Sequence, residues 1–208
     1  LRILRGTRFA AQLGFELEDE TREGMRLLAP TLRKISAERI QVELVKTMTS
    51  SRPDLLREAW KLGITKEFLP EFDLAMETTQ ETVHHMYTVG EHILHTLQEV
   101  RPDRILRLTM LLHDIGKPYM KTMDADGVAH FKGHPEKSSE LANEILHRLK
   151  FDNDTIRKVT KLVRYHDHRM PVTPAHVRRA VHEIGEDLFP LYLEVRRADV
   201  AAQSMYQH

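Results

Sequence analysis

The sequence has 208 residues, and 31 Lys and Arg balance 31 Asp and Glu, so the molecule as a whole does not attract a polyanion and any nucleic-acid binding needs a local patch. It has no cysteine, which excludes disulfides and thiolate metal sites and leaves thirteen histidines and the carboxylates as strong metal ligands. With 41% hydrophobic and 30% charged residues, and no apolar run near the length of a membrane span, the composition is that of a globular chain. We therefore expect a soluble, cytoplasmic protein with no membrane partner.

Four short helices are predicted in the first 63 residues, where apolar residues recur at helical spacing. They cover residues 1–13 before Gly14, residues 20–28 before Pro30, a stretch that begins at Ser36, and residues 53–62 before Gly63. Arg2, Arg5 and Arg8 form a basic side of the first helix, although the charge pattern alone favours a solvated helix face. Both ends of the sequence lie in helical patterns and it begins without Met, so we expect a part of a longer protein.

A break in the periodicity separates this array from a second helical unit. Pro70 and the polar run from Glu77 to Gln80 predict a connector over residues 64–80. Helices are then predicted at residues 83–100, 104–113, 138–150, 154–166, 173–184 and 187–203. The sequence contains no internal repeat and no low-complexity tract, and we predict an all-α protein.

Residues 119–131 do not fit a helix. Asp126-Gly127 is typical of a tight turn and predicts a small hairpin or loop. Asp124 and Asp126 could also suggest the paired metal-binding carboxylates of a polymerase, but no Gly-Ser segment precedes them, and the turn is the preferred interpretation.

An apolar helix ends at His113-Asp114 and so places two metal ligands side by side. Adjacent helical residues point about 100° apart, and both can bind one ion only if other segments complete the shell. Four further stretches offer such groups: His84-His85, His134, His166 and Asp199. A lone histidine on an amphipathic helix is usually a surface or core residue. On that ground we set aside His95, His147, His176, His182 and His208.

Five motifs follow one another in the second unit: His85, Leu111–Lys117 with its His-Asp pair, Gly133-His134, His166-Asp167 and Ala198-Asp199. In this order they resemble the HD-domain phosphohydrolase superfamily, over roughly residues 78–203. The resemblance implies that one divalent ion is held by His85, His113, Asp114 and Asp199. It implies a possible second ion at His134 and His166. Nitrogen-rich ligation favours Mn, Fe, Co, Ni or Zn over Mg²⁺.

Alternatives remain open around these ligands. His84 rivals His85, because neighbouring residues face different ways, and His92, two turns further on, could instead support the ligands. The chemistry implied is phosphoester hydrolysis, because a divalent ion activates water and neutralises phosphate charge. Asp114 and Lys117 would be the catalytic residues; Lys117 would pair with a phosphate or leaving oxygen, or it is only a solvated loop lysine.

A second resemblance lies near the amino terminus, in Leu1–Arg5, Arg8–Phe15, Ile35–Ile40 and Glu43-Leu44. These segments are similar to the neck of bacterial tRNA nucleotidyltransferases, the CCA-adding enzymes, and of poly(A) polymerases. The similarity implies that Arg2 recognises the base of a nucleotide and that tRNA or another RNA is a partner. The nucleotidyltransferase head, which would use Mg²⁺ with ATP or CTP, is not in this sequence, so we do not expect nucleotide addition by this chain alone.

Together these observations predict a helical neck array at residues 1–63, a connector at residues 64–80 and an HD-domain helical bundle at residues 81–208. The first functional hypothesis is a metal-dependent phosphohydrolase acting on phosphomonoesters or phosphodiesters, such as 2′,3′-cyclic or terminal RNA phosphates. The alternative is a non-catalytic tRNA-binding neck and body that supports CCA addition by the missing head. The sequence leaves the oligomeric state open.

Overall fold

The computed structural model describes residues 1–82 and 87–204, which form helices joined by loops, with one small hairpin. The α-helices are α1 (Arg2–Leu13), α2 (Asp19–Leu28), α3 (Ala37–Met48), α4 (Leu56–Lys61), α5 (Pro70–Glu77), α6 (Val89–Gln98), α7 (Arg104–Leu112), α8 (Lys117–Met120), α9 (His134–Arg148), α10 (Asn153–Tyr165), α11 (Pro174–Ile184) and α12 (Phe189–Ser204). Short 3₁₀ helices cover Ala29–Lys34, Pro53–Leu55 and Thr65–Glu67. The all-α prediction is confirmed.

Capping residues explain where several helices begin and end. Gly14 adopts the left-handed conformation, with φ 72°, and its N–H bonds to the carbonyl of Ala10, which ends α1 as expected. At the start of α7 the carboxylate of Asp103 accepts the N–H of Leu106 at 3.0 Å. The hydroxyl of Thr173 caps α11 in the same way, by accepting the N–H of His176.

The bounds of four predicted segments differ from those in the structure. The expected connector at residues 64–80 contains α5, whose Phe72 is fully buried. The helix predicted from residue 83 begins only at Val89, because Thr88 is its N-cap. The fourth predicted helix begins with a 3₁₀ turn at Pro53–Leu55, and α9 begins at His134 rather than at Ser138.

The hairpin lies where it was predicted. Strands β1 (Thr122–Met123) and β2 (Ala129–His130) are antiparallel, with Thr122 opposite His130. Asp124 accepts the N–H groups of Asp126 and Val128, at 2.9 and 3.0 Å, and Gly127 has φ 77°. Both carboxylates are exposed at a turn, which agrees with the turn interpretation.

One hydrophobic core joins the amino-terminal helices to the rest of the chain, and it includes residues from Ile3 to Ala198. Buried Arg107 of α7 strengthens this connection. Its guanidinium donates to the carbonyls of Met48, Ser50 and Val100 at 2.6, 3.0 and 3.2 Å. The division into a neck at residues 1–63, a connector at residues 64–80 and an HD bundle at residues 81–208 stays a prediction.

The basic side of α1 is mostly paired with a carboxylate. Arg8 lies 2.6 Å and Arg5 3.4 Å from the buried carboxylate of Glu43 on α3. The side chain of Arg2 is exposed and makes no hydrogen bond or ion pair within residues 1–82 and 87–204. Only Arg2 among the three is therefore unpaired in this part of the chain. No helix in the described residues has the length and apolarity needed to cross a bilayer.

Candidate metal centre

Six potential metal ligands from five helices meet in the second half of the chain. They are His92 on α6, His113 and Asp114 at the end of α7, His134 at the start of α9, His166 at the end of α10, and Asp199 on α12. Five of these residues are at least 96% buried, and His134 is partly exposed. A helical scaffold builds a metal centre in this way, by pointing side chains of facing helices inward.

Asp114 stands between two groups of histidines. Its Oδ2 lies 3.5 Å from Nε2 of His92 and 3.4 Å from Nε2 of His113. Its Oδ1 lies 3.2 Å from Nε2 of His134 and 3.3 Å from Nε2 of His166. We call His92, His113, Asp114 and Asp199 the central cluster, and His134 with His166 the outer pair. Asp114 is the only residue within ligand distance of both groups among the described residues.

Three of the imidazoles are oriented by the same local contact, a bond from the ring to the carbonyl three residues earlier. The Nδ1 atoms of His113, His134 and His166 lie 2.6, 2.9 and 2.6 Å from those carbonyl oxygens. A nitrogen this close to a carbonyl oxygen carries the proton, because two acceptors would repel. In the neutral ring, Nε2 is then a free lone pair that points into the site, which is the usual state of a metal-binding histidine.

These lone pairs converge in a way that suits a cation. The Nε2 atoms of His134 and His166 are 3.3 Å apart, and two neutral acceptors at such a distance cannot bond to each other. Ligands at about 2.0–2.1 Å from one tetrahedral ion lie about 3.3 Å apart. Nε2 of His92 lies 3.4 Å from Nε2 of His113 and 2.9 Å from Oδ1 of Asp199, so without an ion this nitrogen carries the proton and donates it to the carboxylate. Oδ1 of Asp114 is likewise buried without a hydrogen bond of good geometry. The residues therefore fit a divalent ion in each group.

The charges in the site agree with this fit. Burial raises the pKa of Asp114, but Lys117 and then His113 outweigh it, so this pKa lies well below its ordinary value. Burial is also outweighed at Asp199, whose pKa is held low by His113 and His92. Burial lowers the pKa of His92. Two carboxylates therefore stay ionised among largely buried imidazoles, which is a favourable setting for a cation.

Lys117 is buried next to these ligands. Its Nζ lies 2.9 Å from Oδ2 of Asp114 and 2.9 Å from Oε1 of Gln80, and its exposed fraction is 6%. The alternative that Lys117 is a solvated loop lysine is therefore excluded. The turn before it depends on Gly116, because a Cβ there would lie 2.5 Å from the backbone N of Ser138. Gly116 thus allows α8 to approach α9 closely and brings Lys117 to the site.

A cavity of about 420 Å³ leads from solvent to the site. Its lining includes Asp114, Lys117, Asp199 and the outer pair. His92 and His113 are buried and do not line it. A ligand that enters can therefore reach the outer pair and both carboxylates, but not His92 or His113. The geometry suits a small anionic group that reaches Asp114 and Lys117 from this side.

The structure brings together five of the six predicted metal ligands. His85 and its rival His84 lie outside the described residues, and the role of His85 stays a prediction. His92, which the sequence analysis gave only a supporting place, is part of the central cluster: its Nε2 lies 2.9 Å from Oδ1 of Asp199. The signal that would have found it is Thr88 with Glu91 three residues later, a capping pattern that starts the helix just before His92.

Comparison with known proteins agrees with this arrangement. Residues 82–203, more than half of the chain, match the family model described as the HD domain. The chain belongs to the HD-domain family. In front of the HD domain, residues 14–76 match a second family model, described as a probable RNA- and SrmB-binding site of polymerase A.

Three relatives align with most of the chain. The chain is 35% identical to the A-adding tRNA nucleotidyltransferase of Deinococcus radiodurans, over 95% of this chain and 49% of that protein. It is also 35% identical to the CC-adding tRNA nucleotidyltransferase of Thermus thermophilus, over 96% of this chain and 48% of that protein. A multifunctional CCA protein of Ectopseudomonas mendocina is 33% identical over 81% of this chain and 43% of its own length. The chain spans about half the length of these relatives, and the resemblance to the neck and HD domain of this enzyme family is confirmed.

Proposed function

We propose that the HD domain of this chain is a metal-dependent phosphohydrolase acting on phosphomonoesters or phosphodiesters. The observation that carries the proposal is the position of Asp114, whose two carboxylate oxygens face two separate histidine groups. A purely structural role does not require six ligand side chains to converge in one place, most of them buried. The open cavity on the outer-pair side gives a substrate access to them.

The central cluster would hold the first ion and the outer pair, with Oδ1 of Asp114, would hold a second. The ligand set favours Mn, Fe, Co, Ni or Zn over Mg²⁺, because imidazole nitrogens dominate it. When bound, a divalent ion in such a site neutralises charge on a phosphate and lowers the pKa of water near it. Asp114 would fix the relation between the two ion positions.

Lys117 would bind the substrate. Its ammonium has three donors, and two of them already reach Asp114 and Gln80. The third can bond to a phosphate oxygen in the cavity that Lys117 lines. Gln80 and Asp114 together hold the ammonium in place, so the charge is positioned before a phosphate arrives.

The test is hydrolysis by this chain, loaded with Mn²⁺, Co²⁺ or Ni²⁺. The substrates are a chromogenic phosphodiester, a 2′,3′-cyclic nucleotide and a panel of phosphomonoesters. We expect turnover that exceeds the Asp114→Ala background and is lost with a chelator. If the metal-loaded protein hydrolyses none of these substrates above that background, the ion is structural and the hydrolase proposal fails.

A second candidate function rests on the amino-terminal match. We propose that residues 14–76 contribute to binding tRNA. They match the RNA-binding family model, and two relatives are named tRNA nucleotidyltransferases. Arg2 would contact a nucleotide base, while Arg5 and Arg8 are engaged by Glu43. Filter binding of tRNA over a salt series tests this. Binding that is weak at low salt and does not depend on salt would contradict it.

A further inference from the structure

Two exposed cationic side chains without a partner lie at the mouth of the cavity that leads to the metal site, which we call the HD cavity. Lys132 and Arg169 both line the cavity, and neither side chain makes a hydrogen bond or ion pair with any residue in 1–82 or 87–204. Lys132 precedes His134 by two residues, and Arg169 follows His166 by three residues. Each cation therefore stands beside one histidine of the outer pair, which is the side on which the cavity opens.

The other charges at this mouth are already engaged. Asp167 lies 3.8 Å from Arg196, His130 lies 2.7 Å from Asp124, and Lys117 is bound to Asp114. Lys132 and Arg169 are thus the charges of the cavity lining that remain available to a ligand. Their position makes the outer rim of the site positive, although the whole chain has no net charge.

The larger cavity of the neck offers a contrast. It measures about 560 Å³ and is also lined by arginines, but each of them has a carboxylate partner. Arg52 pairs with Asp54 at 2.8 Å, Arg57 pairs with Glu91 at 2.6 Å, and Arg22 pairs with Glu58. Arginines that are neutralised in this way are poor anion ligands. The unpaired state of Lys132 and Arg169 therefore distinguishes the mouth of the HD cavity.

We propose that Lys132 and Arg169 bind a second phosphate of the substrate, next to the one that reaches Asp114 and Lys117. The substrate class is then a short single-stranded RNA end rather than a compound with one phosphate. This inference rests on the proposed function, because it names the substrate of the same site. Arg169 can bind a phosphate through two parallel N–H groups, and Lys132 adds a point charge.

The test compares three proteins and a series of substrates. The rim variant is Lys132→Ala with Arg169→Ala. The matched control is Arg178→Ala with Arg179→Ala, which removes the same charge from exposed positions of α11 that do not line the cavity. The substrates are a chromogenic phosphodiester with one phosphate, a 2′,3′-cyclic mononucleotide, and RNAs of two to four nucleotides that end in a 2′,3′-cyclic phosphate.

We expect the KM of the wild type and of the control to fall as nucleotides are added to the substrate. For the longer RNAs, the KM of the rim variant should be about 5- to 10-fold higher than that of the wild type. Its kcat and its activity on one-phosphate substrates should stay within about twofold of the wild type. The assignment to an RNA strand would be overturned if the rim variant lost the same factor in kcat/KM on every substrate. It would also be overturned if the wild type had as low a KM for a nucleoside triphosphate as for the RNAs.

A binding measurement separates this inference from the hydrolase proposal. Fluorescence anisotropy of a labelled short RNA, with a chelator present, needs no turnover. We expect the rim variant to bind about 5- to 10-fold more weakly than the wild type. The slope of log K against log[salt] should be less steep by about 1.4, the value for two lost phosphate contacts to a single strand. If the rim variant binds with unchanged affinity and salt slope, this inference is overturned even when hydrolysis is observed. If the binding changes as expected but no hydrolysis is observed, only the proposed function is overturned.

Discussion

At the scale of residues, the histidines of the site are oriented by very local contacts. His113 and His166 both follow the last residue of a helix, and each ring bonds to a carbonyl three residues earlier. This contact fixes the tautomer and the ring direction without help from distant residues. A short segment of sequence therefore delivers each ligand in a usable state, and the fold has only to bring the segments together.

Lys117→Met tests the role of the buried ammonium. We expect it to lower phosphodiester hydrolysis about 10- to 100-fold, because a phosphate oxygen loses a charged donor in a partly enclosed site. Metal content should stay at the wild-type value, because Lys117 is not a metal ligand. Steady-state kinetics and elemental analysis of the same preparation check both parts. Lys121→Met, a nearby surface lysine, is the control, and equal activity in both variants would contradict the role.

At the scale of elements, much of the fold follows from the sequence, and the misses have physical causes. The hairpin turn and the ends of α1 and α11 depend on Gly, Asp-Gly and Thr-Pro, whose preferences are local. Helix α5 was missed because only packing of Phe72 in the core reveals it. Helix α6 begins at Val89, and His92 in its first turn belongs to the central cluster because α6 packs beside α12, a long-range contact that the sequence does not show.

Arg107→Leu tests the contact between α3 and the HD domain. The Arg107 side chain satisfies the carbonyls of Met48 and Ser50 at the end of α3, and without it these buried acceptors lose their donor. We expect the free energy of unfolding to fall by about 2–4 kcal/mol, as measured by urea denaturation. Arg101→Leu, which breaks a surface pair with Glu194, should cost less than about 1 kcal/mol. Equal costs in the two variants would contradict the account.

Asp54 gives a pH-dependent contact between the neck and α6. Burial raises the pKa of Asp54, but hydrogen bonds from Arg52 and Gln98 outweigh it and the pKa is lowered. A lowered carboxyl pKa stabilises the fold above the unfolded pKa, and this contribution is lost as the pH falls through the folded value. Asp54→Asn should therefore be less stable than the wild type by about 0.5–1 kcal/mol at neutral pH, and the difference should shrink below about pH 4. Urea denaturation at several pH values checks this; a difference that grows in acid would contradict it.

At the scale of the whole molecule, one core connects the RNA-binding match to the HD domain. The HD cavity opens beside the outer pair and carries its free cations there, while the arginines that line the neck cavity are paired with carboxylates. A substrate that is an RNA end is consistent with both parts of the chain. At the centre of this arrangement, we propose that Asp114 serves two ion positions.

Elemental analysis of metal per chain tests that claim most directly. After loading with Mn²⁺ or Ni²⁺ and removal of excess ion, we expect up to two ions in the wild type and one fewer in a variant with His134→Ala and His166→Ala. Asp114→Ala should lose both, because its carboxylate borders each group. His147→Ala, on the same helix as His134 but exposed, should match the wild type. Wild-type metal content in folded Asp114→Ala protein would contradict the account.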